Sequence, residues 1–320
     1  MVRDSKNGTF LFERGYMDYH SDRFEDHSLM YYDSKGRLMA LLPACQTRQP
    51  DGRCVLHSHQ GLTYGGLVLG RKVHAVDVMQ MFDLTCQYLS GLGFSEWRYK
   101  PVPTIYHRYP CQEDLYALFR HNAQLEVCNL SCTLPLSDDP ADRITADASR
   151  RHRRQQAEMA GLRLLTGGKD LPADEVLRRF WPIMEQNMMS RYGAQPVHTL
   201  DEMLLLQQRF PQQIRCYLVT APMADGRTQD VAGEVLFVTA GVAHAQYGHA
   251  SELGRSLGAL DFLYLTLIDR FIDHEPQVRY FDFGTSNEQA GRVLNESLIA
   301  QKEGFGGRGV AYQTFRIEIQ

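Results

Sequence analysis

Apolar and polar positions change rhythm several times along this chain. Residues 1–27 are polar, rich in Asp, Arg and His, and show no period, which predicts an irregular lead-in. Apolar residues then cluster in Ser28–Tyr32 and Leu38–Ala44 around Ser34-Lys35-Gly36, the pattern of two strands joined by a tight turn. Cys54–His59 reads as a further strand, and Gly61–Leu69 as a glycine-rich extended stretch. Across Val73–Leu89 the apolar spacing is helical, with Val76, Met79, Phe82 and Leu89 among its positions, and Gly91-Leu92-Gly93 stops the helix. Phe94–Lys100 returns to a strand that Pro101 and Pro103 end.

The same order comes back later. Ile214–Thr220, Val231–Thr239 and Gly241–Ala250 read as strands, with a turn at Asp225-Gly226. Leu257–Ile272 reads as an apolar helix and Val278–Phe283 as a strand. Tyr64-Gly65 precedes Trp97 by 33 positions, and Tyr247-Gly248 precedes Tyr280 by the same 33. Arg71 follows Tyr64 by 7 and Arg255 follows Tyr247 by 8. The shared order favours a duplicated unit over two unrelated α+β halves. Between the copies, Leu115–His121 is predicted as a helix and Ala123–Leu134 as a strand. A helix is predicted from Ser137 to Gly161, and further helices over Leu171–Arg191 and residues 200–209. The boundary is placed near Ser137, giving halves 1–136 and 137–320. The end of the chain reads as a strand running into Gly284, a helix over Gly291–Glu303, a stop at Gly304-Phe305-Gly306-Gly307 and a last strand, Val310–Ile319.

Composition narrows the classes. With 320 residues, 43% of them hydrophobic, there is material for one large domain or two ordinary ones. A net charge of −4 and a pI near 6.3 argue against a dedicated DNA or RNA binder, which is usually basic overall. No run approaches the apolar length of a membrane span, and Met1–Phe10 lacks the apolar core of a secretory signal. Seven scattered cysteines fit free thiols in a reducing compartment, so the expected location is cytoplasmic. Cys54, His57 and His59, with Cys45 nearby, match no standard zinc spacing, and no metal is expected. Arg150-Arg151-His152-Arg153-Arg154 could meet a phosphate-bearing partner; as a charge run on a helix it is expected to be a solvated face.

The strand–helix order, together with Asp282-Phe283-Gly284, Lys302-Glu303-Gly304-Phe305-Gly306-Gly307, the Ser149–Arg154 run before Gly161-Leu162, and Tyr64-Gly65-Gly66-Leu67-Val68, resembles the GNAT acyltransferase superfamily, in its Fem-like tandem branch. The resemblance covers most of residues 29–317. It implies an α+β fold of two tandem GNAT-like halves, each a mixed, mostly antiparallel sheet flanked by helices. It also implies an N-acyltransferase with a cleft between the halves. The donor would be acetyl-CoA or another acyl-CoA, and the acceptor an amine: an amino sugar, an amino acid or a peptidoglycan precursor. Fem-like relatives can use aminoacyl-tRNA instead, which the acidic pI disfavours. A degenerate, non-catalytic binding protein of the same fold is the other reading.

GNAT proteins hold the donor pyrophosphate on main-chain N–H groups at a helix start, where the helix field attracts anions and glycine permits close approach. Arg255, Ser256, Leu257, Gly258 and Ala259 occupy that position here, with Leu260 where a small residue is usual. The matching position of the first half has His74, so the donor site is expected in the second half only. By the same resemblance Asn295 lies on a helix that contacts the CoA arm. The usual acidic tyrosine falls on Ala300, and Lys302 is left to stabilise the charged intermediate. The residues themselves suggest Tyr247, at the end of a strand before a glycine, as a proton donor. Glu234 and Asp282, acids inside apolar strands, suggest bases for an attacking amine. The bland alternatives are an edge aromatic for Tyr247, solvent-facing strand acids, and a solvated helix end for Lys302.

Overall fold

The computed structural model describes residues 1–320, apart from the side chains of Pro140, Arg191 and Tyr192. The chain forms two compact units that interleave in sequence. Met1–Leu130, Thr285–Asn295 and Val310–Gln320 make the first; Ser131–Gly284 and Glu296–Gly309 make the second. These units do not follow a single cut near Ser137, because the end of the last strand, Arg308–Glu318, is used by the first unit. There Phe315 to Glu318 pair antiparallel with Tyr99 to Glu96.

In the first unit the hairpin Leu29–Tyr32/Leu38–Leu42 closes around Gly36, whose φ of 72° suits a residue without Cβ. The strand Cys54–His57 runs parallel to Phe94–Tyr99, and the helix Ala75–Gly91 crosses between them. Trp97, Phe82, Tyr99 and Leu56 are fully buried at the centre of this unit. The lead-in is irregular as expected, built of single turns, but it is not a polar fringe. Phe10, Leu11, Phe12, Tyr16 and Met17 are buried, and the buried Lys6 ammonium donates to the Val73 carbonyl and pairs with Glu113 at 2.6 Å. Its apolar residues bury without a helical or strand period, so periodicity gives no sign of them.

The second unit contains α1 (Ala148–Met159), β1 (Arg163–Thr166), α2 (Ala173–Tyr192), α3 (Leu200–Arg209), β2 (Ile214–Pro222), β3 (Thr228–Val238), β4 (Val242–Ala250), α4 (Glu252–Ser256), α5 (Ala259–His274), β5 (Tyr280–Thr285) and α6 (Glu296–Glu303). Its sheet runs from Ser131–Pro135, the end of the strand Gln124–Pro135, through β5, β4, β3 and β2 to β1. β1 to β4 pair antiparallel, whereas β4 and β5 are parallel because α5 carries the chain back across the sheet. Both units therefore contain a strand–helix–parallel strand crossover, the element pair behind the 33-residue spacing.

Three helix boundaries differ from the sequence reading. The helix predicted from Ser137 begins only at Ala148, since residues 137–147 offer no apolar face to bury. The helix predicted from Leu257 begins at Ala259, where the left-handed Gly258, with a φ of 72°, separates it from the short preceding helix α4. The helix predicted from Gly291 begins at Glu296. Before it, Asn287–Glu288 pairs with Val293–Leu294 around residues of positive φ at Gln289, Ala290 and Gly291. Among the described residues, no helix is long and apolar enough to cross a membrane.

Candidate functional site

The two faces of the second unit's sheet carry different chemistry. Strand alternation sends Phe281 and Phe283 to the α5 face, where both pack edge-on against Tyr264 and Phe283 stacks on Phe305. Glu234 of β3 lies on this same face. It is fully buried, accepts a 2.9 Å hydrogen bond from the Tyr264 hydroxyl on Oε2, and has no partner for Oε1. Burial pushes its carboxyl up to about 8, so it holds its proton at neutral pH. Gly248 stands opposite Glu234 in the register. A Cβ there would come 2.0 Å from the Tyr264 hydroxyl and 2.2 Å from Glu234 Oε2. Gly248→Ala is therefore expected to separate the pair and to cost roughly 1–3 kcal/mol by overpacking, read as a lower urea midpoint at unchanged slope.

Asp282 sits between the two phenylalanines and so points to the other face. It has no solvent exposure, and polar groups converge on its carboxylate. Ser131 Oγ makes a short bond to Oδ1, Thr133 Oγ1 donates to Oδ1 at 3.0 Å, and the Gly284 N–H reaches Oδ1 at 3.2 Å. His244 Nδ1 meets Oδ2 at 2.8 Å. His244, on β4, is the residue that sequence reading missed. Its signal was present, a polar residue between Ala243 and Ala245 in a strand beside Asp282, but only the β4–β5 register, His244 opposite Asp282, reveals the pairing. Tyr247 is on this face too. Its ring packs edge-on against Trp181, its hydroxyl lies 2.6 Å from His198 Nδ1, and burial pushes it up to about 12. Tyr247 is thus held in the interior of β4 rather than at the strand end.

β4 and β5 pair only over Val242–His244 and Tyr280–Asp282, although β4 continues to Ala250. On the opposite side of β4 the register slips, with Leu236 opposite Ala245 and Val235 opposite Tyr247, so Gln246 is an extra, bulged residue. A bulge leaves main-chain groups outside the ladder, and here it does so where β4 has parted from β5. Lys302, from α6, reaches the end of β5 and donates to the Gly284 carbonyl at 2.9 Å. Burial lowers its ammonium to about 8, against the opposing pull of Asp282, Cys132 and Glu234. The fold thus brings Lys302, Asp282 and Glu234 into one electrostatic group, while Tyr247 makes its contacts elsewhere.

Arg255 to Ala259 lie where α4 passes into α5. The Arg255 guanidinium donates to the Ala250 carbonyl, and the Leu257 and Gly258 amides are taken up by Leu253 and Arg255 carbonyls. The open amides are those of the first turn of α5, which cannot bond within the helix. They border a cavity of about 540 Å³ lined by Arg150, Arg153, Arg255, Gly258, Leu260 and Ser297, among others. The basic run of α1 is only in part a solvated face: Arg151, His152 and Arg153 are exposed, but three of its arginines are held by acids. Arg150 and Arg153 each hold the buried Asp261 at 2.9 Å, and Arg154 pairs with Asp269 and Glu158. Helix–helix packing of α1 on α5 turns the run toward these acids, which local periodicity does not show. Asn295 is not on a helix; it precedes α6 and donates to Glu288 at 3.1 Å.

Residues 145–290 match the family described as acetyltransferase (GNAT) domain. No curated protein matches. Among solved structures, FemX is similar over 99% of this chain and 94% of its own, at 11% identity and a TM-score of 0.72. A C-terminal domain described as that of a lysylphosphatidylglycerol synthetase from Agrobacterium fabrum covers 95% of this chain and 90% of its own, at 12% identity and a TM-score of 0.58. L-PGS from Bacillus licheniformis covers 90% and 83%, at 12% identity and a TM-score of 0.54.

Proposed function

We propose that this chain, which has the Fem-like fold of the GNAT superfamily and a GNAT domain over residues 145–290, transfers an acyl group from acyl-CoA to an amine. The observation that carries this reading is the parting of β4 from β5 beside Lys302, in the same unit as a basic cavity at the start of α5. A gap between parallel strands accepts a thin acyl–thioester arm. Arginines and unpaired helix-start amides suit the pyrophosphate at the arm's far end. In this reading Arg255, Gly258 and Ala259, which line the cavity, bind the donor; Ser256 and Leu257 complete the connection between α4 and α5, and Asn295 is nearby in sequence at the entry to α6.

The chemistry follows from the charges. The Lys302 ammonium stabilises the oxyanion that forms when the amine attacks the acyl carbon. Glu234, carrying its proton, gives it to the departing thiolate and regains it from solvent. Tyr247 shapes the wall of the opposite face through His198, and Asp282 fixes the polar groups around β5. The acceptor is a small or cell-wall-precursor amine such as an amino sugar, an amino acid or a peptidoglycan precursor, and the reaction takes place in the cytoplasm.

Isothermal titration with acetyl-CoA and longer acyl-CoA forms tests the donor. Binding is expected, together with a loss of at least tenfold in affinity in Arg255→Ala. Heat from none of the CoA forms, with transfer observed from aminoacyl-tRNA, would move this chain to the tRNA-dependent reading. Binding with no transfer to any amine would favour the non-catalytic one.

A further inference from the structure

The reaction above leaves one proton without a receiver. The amine that attacks must lose a proton as the C–N bond forms, yet the Asp282 carboxylate is already engaged by Ser131, Thr133, His244 and the Gly284 amide, and Glu234 already holds its own proton. We propose that His244 is the general base, and that Asp282 acts through it as a positioning residue. The inference rests on the acyl-transfer reading.

The hydrogen bonds fix the roles of the two ring nitrogens. Two hydroxyls and a main-chain amide converge on Asp282 Oδ1, which makes the carboxylate an acceptor, and an ionised carboxylate has no proton to give. His244 Nδ1, 2.8 Å from Oδ2, must then carry the proton of that bond. Nε2 is left with its lone pair. Among the described residues no side chain or main-chain group is hydrogen-bonded to Nε2, and the side chain keeps 12% of its exposure while Asp282 keeps none. A carboxylate that orients one imidazole nitrogen so that the other can take a proton is the arrangement that general-base chemistry requires.

Position agrees with chemistry. His244 and Asp282 are the last register pair of β4 and β5, at the point where the strands part. A Cβ on Gly284, whose carbonyl holds Lys302, would lie 3.5 Å from the His244 ring. The base thus lies beside the glycine whose carbonyl holds the oxyanion-stabilising cation, on the sheet face opposite Glu234. The step balances as follows. The amine lone pair forms the C–N bond, the carbonyl π pair moves to oxygen beside Lys302, and the ammonium proton passes to His244 Nε2. The oxygen pair then re-forms the carbonyl, the C–S bond breaks, and the thiolate takes the Glu234 proton. His244 releases its proton to solvent and Glu234 recovers one.

Transfer from acetyl-CoA to a panel of L-lysine, D-glucosamine and D-alanine, followed by mass spectrometry, tests this. His244→Ala is expected to lower kcat/KM for the amine on the order of 10²–10⁴-fold at unchanged acetyl-CoA affinity. Added imidazole should restore part of the rate by entering the vacated space. Asp282→Asn should lose a comparable factor without imidazole rescue, because His244 still fills its place but in the wrong tautomer. Thermal melting of each variant shows that it is folded. A folded His244→Ala enzyme within threefold of the parent, or an Asp282→Asn loss that imidazole repairs equally, overturns the assignment while acyl transfer stands. An unsubstituted enzyme inert with every amine and donor overturns the acyl-transfer reading, and the base with it.

Discussion

Lys302→Ala is expected to lower kcat by roughly 10²–10³-fold, the usual loss when one group facing a developing oxyanion is removed. Donor affinity should barely change, because the charge that Lys302 meets exists only once the amine has attacked. The pH profile separates this role from a structural one. Burial draws the Lys302 ammonium from its ordinary value down to about 8, so the cation is present below pH 8 and is lost above it. The unsubstituted enzyme should therefore lose activity as pH rises through 8. Lys302→Arg, whose guanidinium stays charged, should keep some activity and show a shallower alkaline limb, the part that remains being the loss of the Glu234 proton in the same range. A Lys302→Ala enzyme that turns over within a few-fold of the parent removes Lys302 from the mechanism. An alkaline limb of undiminished steepness in Lys302→Arg would place the titration in Glu234 alone.

Glu234→Gln has two expected effects. Turnover should fall by about 10²–10⁴-fold, since the amide has no proton to pass to the leaving group. The second effect is thermodynamic. Glu234 is raised by burial to about 8, so the native state holds its proton through a range in which the unfolded chain has released it. That contribution to stability is complete below the ordinary glutamate value of about 4.3 and is lost as pH rises through 8. Between pH 5 and 7.5 the slope approaches ~1.4 kcal/mol per pH unit for one proton. Lys302, lowered to about 8, begins to release its proton in the native state only near the upper end of that window, and it does so in both proteins. Urea unfolding of the parent and of Glu234→Gln across pH 5 to 7.5 should show the slope shrinking in the variant, with Tyr264 still able to donate to the amide oxygen. Equal slopes would mean that Glu234 is ionised in the native protein, and its role as an acid would fall.

Much of this was readable along the chain, because it depends on neighbours in sequence. The hairpin around Gly36, the helix ending at Gly91, the strands β2 to β4 and the repeated crossover follow from alternation, helical spacing and glycine. Glu234 and Asp282 stand out because charges inside apolar strands must be paired or used, and Lys302 through its place in the Fem-like resemblance. What the chain order could not supply was which groups face each other. Alternation said that Asp282 differs in direction from Phe281 and Phe283, but only the pairing of β5 with β4 puts His244 on its carboxylate. The basic run of α1 reads as a solvated face and is largely exposed, but packing against α5 gives Arg150 and Arg153 a buried acid that the chain order does not show. Local periods record which side of an element avoids water. The identity of the opposing side chain, and with it the protonation of a buried acid or lysine, is set by residues distant in sequence that folding brings within hydrogen-bond reach.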